Sequence, residues 1–125
     1  MKRLLFAVLA GGALLAVPAF AHHSITAAYS IDREVTIEGE LVLFLFRNPH
    51  SFVQVMAPDE QDVMQKWSIE WGAAGQLTEI KRDTLKAGDH VIVTANPGRN
   101  PGDHRLRMKS IARPSDGFKW GGNFE

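Results

Sequence analysis

The sequence contains no cysteine among its 125 residues. This absence excludes a disulfide framework, a thiolate metal site and a cysteine nucleophile. An excess of charge of one sign is also missing, because 14 Lys and Arg side chains balance 14 Asp and Glu side chains. No run of basic residues stands out, so the chain lacks the electrostatic signature of a nucleic-acid-binding protein.

Long apolar runs occur only at the start of the chain. A short basic segment precedes an apolar run over 4–17, and Ala19-Phe20-Ala21 has the small-x-small form after which signal peptidase cleaves. We expect residues 1–21 to be a signal peptide, the mature chain to begin at His22, and the protein to be periplasmic or secreted. Later apolar stretches fall short of the roughly 20 residues of a membrane helix, so we expect no membrane span in the mature chain.

The expected mature chain is small and weakly acidic. Removing Lys2 and Arg3 from the 14 basic side chains leaves 12 against 14 acidic ones, a net charge of −2. A chain of about a hundred residues forms one domain with a single core. We therefore divide the mature chain into an N-terminal arm over 22–34, a barrel domain over 35–112 and an irregular C-terminal tail over 113–125.

Alternating apolar and polar residues predict five strands. The pattern covers residues 35–46, 51–56, 63–71, 90–95 and 104–111. From 41 to 46 the first strand is apolar at every position, which predicts that its second half is buried on both faces. Gly39 is a candidate for a bend or bulge in this strand.

A short helix of about two turns is predicted over 76–82, where Leu77 and Ile80 are spaced three apart. Three strands, a helix and two strands is the element order of the OB-fold. Closing such a sheet also removes its exposed edges. We predict a mainly β protein, a small five-stranded OB-like Greek-key barrel with one short helix between strands 3 and 4, in preference to a small open sandwich.

Several short motifs stand in a familiar order along the chain. They are His22-His23-Ser24 at the expected start, the Asn48-Pro49-His50 turn, Glu70 in a tryptophan-flanked strand, and Leu85-Lys86-x-Gly88-Asp89. With them the chain resembles an exported bacterial family of unknown function, domain-of-unknown-function family 6152, from His22 to about residue 111. The resemblance implies a small secreted domain similar to OB-like barrels and supplies no established activity.

Cleavage before His22 would create a metal chelator. An N-terminal histidine binds a metal through its α-amino group and its own Nδ1, and one further imidazole completes a three-nitrogen histidine brace. Nitrogen ligands near a plane suit Cu(II), and an α-amino group with a reference pKa near 7.7–8.0 offers only modest proton competition. His23 offers a second mode, through the amine, the intervening amide nitrogen and its own imidazole.

A histidine brace also needs an imidazole from the fold. His50 is the first choice, because a turn at the barrel rim lies within reach of a flexible arm, and His90 and His104 are second choices. Glu70 faces away from the apolar row of its strand, so it is a candidate ligand or a carboxylate that orients an imidazole. The candidate metal-binding residues are therefore His22, His50, His23 and Glu70, with copper as the cofactor.

Each of these residues also has a plain structural interpretation. His22 and His23 are then simply the residues that follow the cleavage site, and His50 hydrogen-bonds within its own turn. Glu70 is then a solvated charge or a partner for Lys66. The alternating basic residues Arg105, Arg107 and Lys109 are interpreted in the same way, as a solvated stripe on the last strand.

The sequence contains no setting for a catalytic nucleophile, a general base or a phosphate-binding loop, so a carrier or sensor is favoured over an enzyme. An oxidase built on the brace is the enzyme alternative. We predict an exported small binding protein for copper or another divalent metal. The alternative is a metal-independent module of the periplasm that binds a small ligand or another exported protein through its barrel face, for which the apolar run 41–46 offers a patch.

Overall fold

Six strands make up most of the regular structure in residues 25–124, the part of the chain that the computed structural model describes. They are β1 (Val35–Leu45), β2 (Phe52–Pro58), β3 (Met64–Glu70), β4 (His90–Pro97), β5 (Arg105–Arg113) and β6 (Phe118–Gly121), with a 3-10 turn at Pro101–Asp103 before β5. No helix among these residues has the length and hydropathy that a membrane crossing requires.

Five of the strands close into a barrel. β1 pairs antiparallel with β2 and β4, β2 pairs with β3, and β4 pairs with β5. A parallel pairing of β3 with β5 completes the circle, with Ser68 opposite Arg105 and Glu70 opposite Arg107. The prediction of a five-stranded OB-like Greek-key barrel is confirmed. We call the line where β3 meets β5 the closure seam.

The first strand departs from its predicted pattern near its middle. A β-bulge between Leu41 and Leu43 shifts the register against β2, and an extra residue reverses which side chains face inward. Val42 and Leu43 are therefore 41% and 40% exposed. Phe44 instead packs near Trp71, with ring centroids 6.0 Å apart. The expectation that this half of β1 is buried on both faces is wrong.

Gly39 does not carry the bulge, but it has a different structural role. A Cβ atom built at Gly39 would lie 1.9 Å from the carbonyl oxygen of Met56 on β2. The backbones of β1 and β2 approach so closely here that only a residue without a side chain fits.

The connection between β3 and β4 is a series of turns rather than the predicted helix. Ile80 N donates to Leu77 O at 2.9 Å, and Thr84 N donates to Lys81 O at 3.0 Å. Leu77, Ile80 and Leu85 are all buried. The apolar spacing therefore marks core residues correctly, but separate turns present them to the core without a regular helix.

The C-terminal segment contains β6, in contrast to the irregular tail that the sequence predicts. β6 pairs antiparallel with β5, and Trp120 packs edge to face on the fully buried Trp71 at 5.0 Å between ring centroids. Arg107 donates to the carbonyl oxygen of Phe124 and stacks over its ring. Aromatic packing thus holds the tail against the barrel.

Candidate functional site

The loop between β1 and β2 carries His50 and is closed by hydrogen bonds of its own. Ser51 is fully buried, and its hydroxyl accepts from Arg47 N and donates to Arg47 O, both at 3.2 Å. Asn48 Oδ1 accepts from Gly75 N at 3.3 Å, which ties this loop to the next connection. These bonds fix the backbone beside His50 and leave its imidazole 53% exposed.

Glu70 is the last residue of β3 and lies on the outer wall of the barrel at the closure seam. Its neighbour Ile69 points into the core and is fully buried, so strand alternation directs Glu70 outward as predicted. Only 19% of the Glu70 side chain is exposed, because groups from three other segments cover it. The interpretation of Glu70 as a freely solvated charge is wrong.

The first of these groups is His50. Its Nδ1 lies 3.4 Å from Glu70 Oε1. Phe52, the first residue of β2, lies opposite Glu70 on β3. Because the His50 loop leads directly into β2, this pairing brings His50 close to Glu70. A carboxylate beside Nδ1 favours the tautomer in which Nδ1 carries the proton. The lone pair on Nε2 is then available to bind a metal.

The second group is Tyr29, from the N-terminal arm. Tyr29 is 2% exposed, and its hydroxyl donates to Glu70 Oε2 at 2.5 Å. One helical turn precedes it, in which Tyr29 N donates to Ile25 O at 2.8 Å. Burial, followed by the hydrogen bond to Glu70, raises the pKa of the Tyr29 phenol well above its ordinary range.

Backbone hydrogen bonds hold the arm against the end of β4. Ser30 N donates to Pro97 O, and Arg99 N donates to Ala28 O, both at 2.9 Å. Arg99 Nε also donates to Thr26 O at 2.6 Å. The arm is thus fastened to the barrel on both sides of Tyr29.

The third group is Arg105, at the start of β5. Its Nη2 donates to the Tyr29 hydroxyl at 3.4 Å and lies 3.9 Å from Glu70 Oε2. The guanidinium balances the carboxylate charge at the closure seam. Tyr29, His50, Glu70 and Arg105 together form what we call the seam cluster.

The seam cluster supplies too few ligands to hold a metal by itself. Within residues 25–124 no group of three or more His, Cys, Asp or Glu side chains could hold a metal ion. Oε1 of Glu70 faces His50 and Oε2 accepts from Tyr29, which suits Glu70 to orienting an imidazole. Two of the predicted ligands, His22 and His23, lie outside the described residues.

The second-choice histidines lie elsewhere. His90 Nε2 is 2.8 Å from Glu38 Oε1 on the exposed β1–β4 surface. His104 packs its ring against Trp67, with centroids 5.1 Å apart and planes at 90°. The contacts of His90 and His104 therefore lie outside the seam cluster. Among the candidate ligands in residues 25–124, His50 and Glu70 are the two that lie close together.

Tyr29 and Arg105 are site residues that the sequence analysis does not identify. The interpretation of Arg105 as part of a solvated stripe is incomplete, because its role depends on the β3–β5 pairing, which joins distant parts of the chain. Tyr29 leaves a signal in the sequence, since it is the one tyrosine of the chain and the one Phe, Tyr or Trp residue of the arm over 22–34.

The comparisons with known proteins agree with the motifs noted above. A family model described as a family of unknown function, DUF6152, matches residues 12–107. The chain belongs to this family. Its matched region includes His50, Glu70 and Arg105 as well as the arm that bears Tyr29. Neither a curated protein nor a solved structure matches the chain.

Proposed function

We propose that this DUF6152 protein is an exported small binding protein that holds copper, or a similar divalent metal, between a mature N-terminal His22 and the imidazole of His50. One observation carries the proposal: Glu70 contacts both His50 and Tyr29. The same carboxylate therefore fastens the N-terminal arm and faces the imidazole of the seam cluster.

Chain length supports the proposal. The three residues from Ile25 back to His22 span at most about 10 Å. The helical turn between Ile25 and Tyr29 adds about 6 Å along its axis. A mature N-terminus is thus tethered within reach of the residues around Glu70.

In this proposal, His22 supplies the α-amino group and Nδ1, and His50 supplies Nε2. Glu70 orients His50 through Nδ1, as carboxylates beside metal-bound histidines do. All three proposed ligands are neutral nitrogens, which favours Cu(II) among divalent ions. His23 provides the alternative mode through the first amide nitrogen, and that mode does not need His50.

A copper titration tests the proposal by combining the His50→Ala substitution with an alanine inserted before His22. The exported protein, with its first residue verified by mass spectrometry, is titrated with Cu(II) against a competing chelator. His50→Ala is made in the natural chain and in a chain with one alanine inserted before His22. We expect His50→Ala to weaken binding by at least about tenfold in the natural chain and to change little in the extended one.

His90→Ala is the matched control, because it removes an exposed imidazole that pairs with Glu38. We expect it to bind copper as the natural chain does. Equal affinity of the natural chain and its His50→Ala variant would contradict the brace, and copper bound through His23 alone would give that result.

A further inference from the structure

An open groove lies at one end of the barrel, separate from the proposed metal ligands. Its volume is about 670 Å³, within the range of small-molecule sites. It is bordered by the start of β1, the β2–β3 turn, the end of β4 and the 3-10 turn before β5. Ligand sites occur preferentially in the mouths of β-barrels.

The floor and one wall of the groove are apolar or aromatic. Ile37 and Leu106 are buried at the floor. Trp67 forms part of the wall, where its Nε1 donates to Ala57 O at 3.1 Å and its ring meets His104. Both of these contacts fix the indole, so the wall is formed before any ligand arrives.

The charged groups at the rim differ in whether they already have partners. Asp59 accepts from Val63 N and Gln61 N at Oδ1 and from Gln65 Nε2 at Oδ2. The hydrogen bonds from Val63 and Gln65 also hold the pKa of Asp59 below its ordinary value. The Asp59 carboxylate is therefore occupied within its own turn.

Arg33 is exposed at the same rim, and its guanidinium has no partner among residues 25–124. Arg105 lines the groove as well, with half of its side chain exposed. Glu60 is the one acidic side chain of the rim without a partner in the described chain. The guanidinium of Arg105, however, already contacts Tyr29 and Glu70 of the seam cluster. The groove thus combines an apolar floor with one guanidinium without a partner in the described chain, that of Arg33, and a single free carboxylate.

We propose that this groove binds a small organic anion whose apolar body packs on Ile37, Leu106 and Trp67 and whose carboxylate pairs with Arg33. A guanidinium pairs with a carboxylate through two parallel hydrogen bonds between opposite charges, and a neutral ligand of the same shape lacks the charge for such a pair. This site needs no metal and uses none of the proposed metal ligands, although Arg105 lines the groove and also belongs to the seam cluster.

Benzoate is the probe, with benzyl alcohol as its neutral counterpart and acetate as the anion without an aromatic body. Binding is followed by NMR of the Trp67 indole N–H in the exported protein with a metal chelator present. We expect saturable binding of benzoate with a Kd on the order of 1 mM, and binding about tenfold weaker for both other probes.

Three substitutions separate specific pairing from general charge effects. Arg33→Gln is expected to weaken benzoate binding about tenfold, and Glu60→Gln to strengthen it about twofold. Arg82→Gln, which removes an exposed arginine outside the groove, is expected to leave the affinity unchanged. The proposal is overturned if benzyl alcohol binds as tightly as benzoate, if Arg82→Gln weakens binding as much as Arg33→Gln, or if benzoate produces no saturable shift.

Discussion

Glu70 holds the candidate site together because its two oxygens face different segments. Oε1 faces the β1–β2 loop at His50, and Oε2 accepts from the arm at Tyr29. Residue type and strand alternation are enough to select His50 and Glu70 from the sequence. The partners that cover Glu70 cannot be selected in that way, since a hydrogen bond over a long chain separation leaves no local pattern.

Tyr29 gives a clean spectroscopic test of the seam cluster, because the chain has one tyrosine. Its ordinary pKa of 10.0 is raised by burial and by Glu70. We expect the folded protein to show no tyrosinate absorbance at pH 10, whereas the urea-unfolded chain is half ionised there. Half ionisation of the folded chain at that pH would contradict the buried hydrogen bond.

The same shift fixes the direction of the alkaline stability change. A raised folded-state pKa contributes stability that is complete below the unfolded pKa and is lost as the pH rises above it. The free energy of unfolding should therefore fall above pH 10 in the natural chain. Tyr29→Phe should remove the part of this alkaline fall that is due to Tyr29 and lower the free energy of unfolding at neutral pH by about 1–2 kcal/mol.

At the scale of single elements, the alternation along each strand is readable from the sequence, but its interruption is not. The bulge at Val42 depends on how β1 is registered against β2. The β3–β4 connection shows the same limit, because the spacing of Leu77 and Ile80 is satisfied equally by a helix or by successive turns. The two apolar residues are buried in the structure, but their spacing does not determine the backbone conformation that presents them.

Gly39 provides a steric test of the close approach between β1 and β2. Gly39→Ala would place a Cβ 1.9 Å from the Met56 carbonyl, so the strands must separate. We expect a loss of about 3 kcal/mol or more in the free energy of unfolding, measured by urea denaturation. Gly75→Ala is the control, since the Cβ it gains would have no neighbouring atom within 4 Å, and it should change stability by less than about 0.5 kcal/mol. Equal effects of the two substitutions would refute the close approach of β1 and β2 at Gly39.

Arg113 links the end of β5 to two turns. Its Nη1 donates to Asp89 Oδ2 and Thr84 O, both at 2.7 Å, and its Nη2 donates to Asp116 Oδ2 at 2.8 Å. Partial burial alone would raise the pKa of Asp89, but hydrogen bonds from Lys86 N and Arg113 lower it overall. Hydrogen bonding from Arg113 likewise lowers the pKa of Asp116.

These lowered pKa values predict acid sensitivity. Carboxylates with depressed folded-state pKa values stabilise the fold above the ordinary pKa of 3.8, and that stability is lost as the pH falls through the lower folded values. We expect Arg113→Gln to lower the free energy of unfolding by about 1 kcal/mol at neutral pH and to make the loss of stability with falling pH less steep. Thermal denaturation at a series of pH values from neutral to acid measures both effects. Lys109→Gln, which removes the surface pair with Glu34, should leave the decline intact. An unchanged acid profile in Arg113→Gln would refute the linkage.

At the scale of the whole molecule, the order of elements is enough to predict the barrel. The closure seam is not specified by any one strand, yet it is what brings Arg105 beside Glu70. β6 escapes prediction because its four residues are too few for a clear alternation, and packing on Trp71 supplies what the local pattern lacks. The seam cluster thus forms because the strand topology brings together residues that are distant in the chain and carry no distinctive sequence pattern.

The most direct measurement is the electron paramagnetic resonance spectrum of the chain prepared to begin at His22, with one equivalent of Cu(II), compared with that of its His50→Ala variant. The proposed site predicts an axial signal with coupling to three nitrogens in the natural chain and the loss of one of them in the variant. Identical spectra from the two chains, or no bound copper in either, would contradict a metal held between the N-terminus and the His50 loop.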